Sequence, residues 1–236
     1  MSQERCEAVV LRGVDFSETS RIVTFLSPER GRLVCLAQGA RRPKSALASA
    51  LGTFTRLEIV YYWKDSRNVQ KLGEATVLEP FNGLRTQVEK AVYAAFPLEL
   101  AYKTAQENEP SHELYVTLVT GLRSLEAWDS DIRWHTAWLA LRMLEAAGYA
   151  PKTVADGPAT GFSYDSGVTT RGEQNDRRIG KPEEEALRCL SERWEECPPF
   201  HAASKAVFSL LRGFAMRQLD TDFRSLRVID QMFGST

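Results

Sequence analysis

A chain of 236 residues, 43% hydrophobic and 26% charged, can bury one large core or two modest ones. No 18-residue stretch lacks charge and the start, MSQERCE, has no apolar run, so we expect neither a membrane span nor a secretory leader, and a cytoplasmic location. Charge is nearly balanced at −1, and Cys6, Cys35, Cys189 and Cys197 show no C-x-x-C spacing, which argues against a metal-type pair and for reduced, buried thiols.

In chain order, the first 80 residues predict β structure. Five runs at 6–12, 20–26, 32–38, 54–63 and 68–78 are rich in Val, Ile, Thr and aromatics, with turn chemistry between them. Ser27 to Gly31 and Lys64 to Asn68 are hairpin-length connections, and the one long connection falls between the third and fourth strands. This is the strand count of an OB-fold, a small and partly open barrel.

From Phe81 on, the apolar spacing becomes helical. A first helix over 85–107 should be kinked or divided by Pro97. Ser111 is a candidate cap for a second, which carries Leu114, Leu118, Leu122 and Leu125. The third, Asp131 to Ala147, is apolar nearly all round, should be buried, and stops at Gly148. Residues 149–181 have no helical period and predict a long loop or a small ribbon. Pro182 opens a further helix that Cys197-Pro198-Pro199 ends, and two more follow at 201–219 and 224–232. The whole reads as α+β, with a barrel domain over 1–80 and a helical domain over 81–236.

Charge is unevenly spread: the first 80 residues sum to +3 and the rest to −4. Between Arg30 and Leu57 no acidic residue occurs, while Arg30, Arg32, Arg41, Arg42, Lys44 and Arg56 all do. Arg41, Arg42 and Lys44 stand in AQGARRPKS (37–45), inside the long connection. A cationic stretch is ordinarily a solvated face, but the exclusion of acids, the long loop and the barrel pattern together point to a polyanion, with nucleic acid the foremost case. The window contains one aromatic, Phe54, and Phe16, Tyr61, Tyr62 and Trp63 are equally readable as core. Contact with phosphates should therefore outweigh base stacking. A strand held by its phosphates keeps its pairing edges free, so strand annealing, with no cofactor and no hydrolysis, is a natural activity.

Catalytic signals are missing. His112, His135 and His201 have no partner at a triad or zincin spacing, and neither a P-loop nor G-x-G-x-x-G occurs. His135, among tryptophans, reads as a core residue, and Glu183 to Glu185 as a solvated helix start. We expect a protein without enzymatic activity and without a metal.

The stretch EAVVLRGVDFSETSRIVTFLSPERGRL, followed by AQGARRPKSALASALGTFTRLEI, resembles the RecO family of bacterial recombination mediators. Weaker similarities lie in PLELAYK (97–103), LRMLEAAGYAP (141–151) and DFRSLR (222–227). The resemblance implies an N-terminal OB-fold barrel, a helical C-terminal domain, and DNA repair and recombination through single-stranded DNA binding and annealing. It further implies partnership with RecR, with the single-strand-binding protein and, indirectly, with RecA, near the nucleoid. Arg41, Arg42 and Lys44 match the family's basic signature, Arg21 and Arg32 match it less closely, and Arg56 joins them from the same window. Whether duplex DNA also binds stays open. Many members follow the Gly-Tyr-x-Pro of 148–151 with two C-x-x-C pairs that hold zinc. Here KTVADGPATGFSYDSGVTTRGEQ has no cysteine, so the resemblance implies a degenerate ribbon at about 149–181 with no zinc site.

An alternative of another class also stays open: an adaptor that binds the C-terminal tail of the single-strand-binding protein, with incidental DNA affinity. Its candidate residues are Lys205, Arg212 and Arg217 with Phe208 and Phe214, which could instead be core.

Overall fold

The computed structural model describes residues 2–192 and 201–234, which form two compact units, one of residues 1–87 with 101–126 and one of 88–100 with 127–236. The division differs from a single boundary at residue 80, because the helical segment 101–126 groups with the strands.

In the first unit, β1 (Ser2–Asp15), β2 (Arg21–Ser27), β3 (Gly31–Ala37), β4 (Arg56–Trp63) and β5 (Gln70–Glu79) close into a barrel of order β1-β2-β3-β5-β4. It is closed where the strand pattern predicted a partly open one. Closure comes from a short parallel ladder, Cys35 opposite Gln70 and Leu36 opposite Lys71. β1 is longer than its apolar run, since Ser2 to Arg5 pair with Trp63 to Val60 although their side chains are polar. A register shift between Val10 and Arg12 lets the one strand serve both neighbours. Inward alternation places Val10, Val23, Phe25, Leu33, Cys35, Ile59 and Leu72 in one core, and Ala40, Ala50 and Leu51 of the β3–β4 connection join it. That connection contains α1 (Ala46–Ala50).

The Ser27–Gly31 turn fits the helical segment of this unit through its backbone. Gly31 has φ +56°, and a Cβ there would lie 2.3 Å from the Glu109 carbonyl, so both the conformation and the close approach require glycine. Arg32 N–H donates to the Gln106 carbonyl at 2.9 Å and Ser111 N–H to the Pro28 carbonyl at 2.9 Å. The Ser111 hydroxyl, the candidate cap, donates to the Glu109 carbonyl. α2 (Asn82–Thr86) and α4 (His112–Ala127) complete the unit, with Leu114, Leu118, Leu122 and Leu125 all buried.

α3 (Val88–Thr104) runs unbroken through Pro97. Proline forfeits one intrahelical hydrogen bond, and a helix with Phe96, Leu98 and Leu100 all buried tolerates that loss.

The second unit is built around α5 (Ile132–Ala146), buried on nearly every side as its composition predicts. Asp131 caps it, accepting from Arg133 N–H at 3.0 Å. Gly148 ends it at φ +83°, with Tyr149 N–H donating back to the Leu144 carbonyl at 2.8 Å. Residues 149–181 do form a ribbon: β6 (Ala159–Ser163), β7 (Gly167–Thr170) and β8 (Arg177–Arg178), in the order β7-β6-β8. Phe162 anchors it, fully buried with its ring 6.2 Å from that of Phe214. α6 (Lys181–Glu192), α7 (His201–Gln218) and α8 (Arg224–Phe233) follow. The Glu99 carboxylate receives the N–H groups of Arg224 and Ser225 at 3.0 and 2.8 Å, which satisfies the start of α8. The expected helix stop at Cys197-Pro198-Pro199 lies outside the described residues.

Two of the four cysteines match the expectation of buried thiols. Burial pushes the Cys6 thiol up to about 12 and raises that of Cys35 as well, so both are unreactive. For Cys189 the expectation is corrected, because this residue is disulfide-bonded. It is half-buried on α6.

Candidate nucleic-acid interface

The basic stretch 38–45 is a chain of tight turns. The segment Arg42-Pro43-Lys44-Ser45 is closed by Ser45 N–H donating to the Arg42 carbonyl at 3.1 Å, and Lys44 has φ +65°. Proline at the second position and a positive φ at the third define a type II turn, where glycine is the usual third residue. Lys44 occupies that position at a steric cost of about 1–2 kcal/mol. Phe54, Phe81, Asn108 and Asp220 share a positive φ, so the conformation fixes the turn and does not by itself assign a role to the charge. Arg42 and Lys44 are exposed, and among the described residues neither side chain has a hydrogen bond or an ion pair.

Arg41 is held differently. Its N–H donates to the Thr19 carbonyl at 3.0 Å and its Nη1 to the Ser17 carbonyl at 2.6 Å, which ties the loop to the β1–β2 connection. Its Nε lies 3.3 Å from Asp15, and the other oxygen of the same carboxylate lies 3.3 Å from the Nε of Arg21. One acid thus aligns two guanidinium groups that remain partly open to solvent.

The other cations of the window are committed elsewhere. Arg30 lies 2.8 Å from the Glu4 carboxylate and 4.3 Å from the centroid of the Trp63 ring. Arg32 pairs with Glu107 at 3.2 Å and donates to the Tyr102 carbonyl. Arg56 donates to Glu7 at 2.7 Å and to the Tyr115 hydroxyl at 3.2 Å, with Glu79 at 3.7 Å. The Glu7 contact raises the Arg56 pKa, and the Arg56 hydrogen bond in turn lowers that of Glu7. The window is free of acids along the chain but not in space, because β1 supplies Glu4 and Glu7 and the helical segment supplies Glu107. Of the six candidates, Arg41, Arg42, Lys44 and Arg21 cluster around the loop. Arg32 and Arg56 stand in internal ion pairs.

The aromatics also sort themselves. Phe54 and Tyr61 are buried and Trp63 is covered by Arg30, whereas Phe16 is 63% exposed on the β1–β2 connection. Arg67 and Lys71, which lie outside the acid-free window, neighbour Phe16 around a cavity of about 330 Å³. Arg67 stands in the polar β4–β5 hairpin and Lys71 on β5, and both contribute to the sequence pattern only as part of the +3 sum over the first 80 residues.

In the second unit, the proposed peptide-binding aromatics are corrected. Phe208 and Phe214 are buried in the core, Phe208 packing on Tyr93 at 5.7 Å. Phe208 also meets Phe96 of α3, and Phe214 meets Phe162 of the ribbon, a placement that the spacing of α7 left undecided. Arg212 makes a two-point contact with Asp230 at 2.7 and 2.6 Å, and Arg217 pairs with Asp165 at 2.8 Å. Lys205 is exposed and lines a cavity of about 410 Å³ with Tyr93, Ile132, Arg133 and Phe233.

The ribbon does not fit zinc. It offers neither thiol nor imidazole between Ala159 and Arg178, and its acids are occupied: Asp165 by Arg217, Asp176 by the Tyr164 N–H at 2.7 Å, and Glu173 by the Thr170 hydroxyl at 2.9 Å. Among the described residues no cluster of three metal-ligating side chains occurs. No helix there is long and apolar enough to cross a membrane. His135 is buried between Trp128 and Trp138, and burial pushes its pKa down to about 3.

Two family models match the chain: the N-terminal one of recombination protein O over residues 1–81 and the C-terminal one over 85–228. Among similar curated proteins, the DNA repair protein RecO of Salinibacter ruber is 32% identical over 62% of this chain and 56% of its own length. That of Exiguobacterium sibiricum is 34% identical over 63% of the chain and 58% of its own length. That of Acetivibrio thermocellus is 26% identical over 81% of the chain and 79% of its own length. The matched segment thus spans little more than half of the first two relatives.

Proposed function

The chain belongs to the RecO family, and on that premise we propose that it is a non-enzymatic mediator of DNA repair and recombination, which binds single-stranded DNA through the 38–45 loop and anneals complementary strands. Its partners in this reading are RecR, the single-strand-binding protein and, indirectly, RecA, with the protein at the nucleoid. The observation that carries the reading is the loop itself. Arg42 and Lys44 extend from a turn fixed by Pro43, free of ion pairs among the described residues, beside the aligned pair Arg21 and Arg41.

Such groups neutralise phosphates and release counterions without contacting base edges. Two strands held this way can pair, and nothing in the step consumes a nucleotide or requires a metal. An annealing assay with complementary oligonucleotides, naked and coated by single-strand-binding protein, in the absence of ATP and with chelator present, tests the proposal. Faster pairing than without protein supports it, and a rate equal to the uncatalysed one refutes it.

A second reading is an adaptor for the tail of the single-strand-binding protein. The cavity lined by Tyr93, Ile132 and Phe233 with Lys205 favours it, since an acidic peptide with an apolar end matches both parts, while Arg133 in the same lining is already paired with Asp131 at 2.8 Å. Glu89 and Asp131 also line it and would oppose an acidic guest. Calorimetry with that peptide distinguishes the two: an adaptor binds it undiminished after Arg41, Arg42 and Lys44 are replaced.

A further inference from the structure

Ile22 on β2 pairs across the ladder with Leu36 on β3, and Leu36 with Lys71 on β5. These residues alternate with the inward Val23, Cys35 and Leu72, so two aliphatic side chains and a lysine stem form a row on the outer face of the barrel, where alternation ordinarily places polar groups. The connections at its ends close this row into the 330 Å³ cavity: Phe16 from the β1–β2 connection, Arg67 and Val69 from the β4–β5 hairpin. Phe16 N–H donates to the Ser20 carbonyl at 3.1 Å, so the exposed ring projects from an ordered turn. Gln38, at the start of the basic loop, lines the same cavity. Neither Arg67 nor Lys71 has an ion pair among the described residues, and the Lys71 ammonium lies 5.9 Å from the centroid of the Tyr62 ring.

We propose that this cavity seats one unpaired nucleobase of the bound strand, stacked on Phe16, with Arg67 and Lys71 on its flanking phosphates. The inference deepens the reading of the basic loop and rests on it. Unopposed cations on the rim and continuity with the 38–45 loop favour a polyanion over a peptide. The volume is at the small end of ligand pockets, suited to a planar ring. An aliphatic floor with an aromatic wall accepts the face of any base, so the grip is tolerant of sequence. A base inside a duplex reaches the cavity only after unstacking, which costs a few kcal/mol, so the site favours single strands over duplex.

Fluorescence anisotropy on the full chain, with a labelled oligothymidine and an abasic strand of equal length, tests this. Phe16→Ala should weaken oligothymidine binding about 5- to 140-fold, the ~1–3 kcal/mol of one stacked base at about 1.4 kcal/mol per tenfold. Abasic-strand binding and the salt slope should not change, and Phe16→Trp should restore affinity. Thermal melts check that the variants stay folded, which the exposure of Phe16 favours. If Phe16→Ala binds both strands like the parent while Arg42→Ala with Lys44→Ala loses affinity and slope, the base site is refuted and the basic-loop reading stands. If the parent binds neither strand, both fall. If Phe16→Ala spares DNA but weakens association with RecR, the face is a protein-docking surface and the inference is overturned.

Discussion

Arg56 donates to the Glu7 carboxylate at 2.7 Å across the β1–β4 pair of the barrel. A cation that the sequence nominated for DNA is thus part of an internal network with Tyr115 and Glu79. Arg56→Ala should lower stability by about 0.5–1.5 kcal/mol, because the Glu7 carboxylate loses its guanidinium and keeps only the Tyr115 hydroxyl, which donates to it at 3.0 Å. It should leave the affinity for single-stranded DNA nearly unchanged. Urea denaturation and anisotropy on the same preparation measure both, and a large affinity loss at unchanged stability would contradict the assignment.

The loop cations should behave in the opposite way. Arg42→Ala with Lys44→Ala removes two exposed charges with no partner among the described residues, so stability should stay within about 0.5 kcal/mol. The slope of log K against log salt for single strands should flatten by about 1.4 units, and by at most about 2 if Arg41 is also replaced, since Asp15 already neutralises part of its charge. A slope equal to that of the parent would exclude the loop as the contact.

Lys44 allows a separate test through its backbone. Lys44→Gly relieves a left-handed conformation worth about 1–2 kcal/mol and adds about 0.5–1 kcal/mol of unfolded-state freedom. The net expectation is a gain of up to about 1 kcal/mol in stability together with weaker strand binding. Lys44→Ala should show the weaker binding without the gain. Thermal unfolding of the two variants separates strain from charge.

His135 predicts an acid dependence. Its folded-state pKa is depressed to about 3 by burial, while an unfolded histidine titrates near 6.5. Above pH 6.5 the imidazole is neutral in both states and stability is unaffected. As pH falls from about 6.5 to about 3, the unfolded chain binds a proton that the folded one refuses, and stability drops by up to ~1.4 kcal/mol per unit. His135→Gln should flatten the stability profile in that window, as judged by urea titrations at several pH values.

The ribbon should depend on packing and not on metal. Phe162→Ala should cost about 3–5 kcal/mol, whereas exhaustive chelation should leave the melting temperature unchanged. A chelator-sensitive melt would show that a metal is held after all.

The barrel was legible because period-2 runs and turn residues agree along 6–78, and α5 was legible because an apolar helix with a terminal glycine has few other readings. The partners of the cations were not. Nothing local tells that Glu7 lies beside Arg56, a pairing across 49 residues that the barrel register decides. Phe208 and Phe214 stayed open between core and peptide contact because a helix with apolar and basic residues around much of its circumference does not say which stripe is covered. Phe16 was ambiguous because exposure of a single aromatic in a turn leaves no periodic trace.

Asp15 has a consequence for turnover. A phosphodiester that reaches Arg41 displaces a carboxylate already there, so each new contact is an exchange between anions and not the filling of a vacant site. In the proposed annealing such an exchange would make the hold on each strand light, so that two strands, once paired, would be released at little cost.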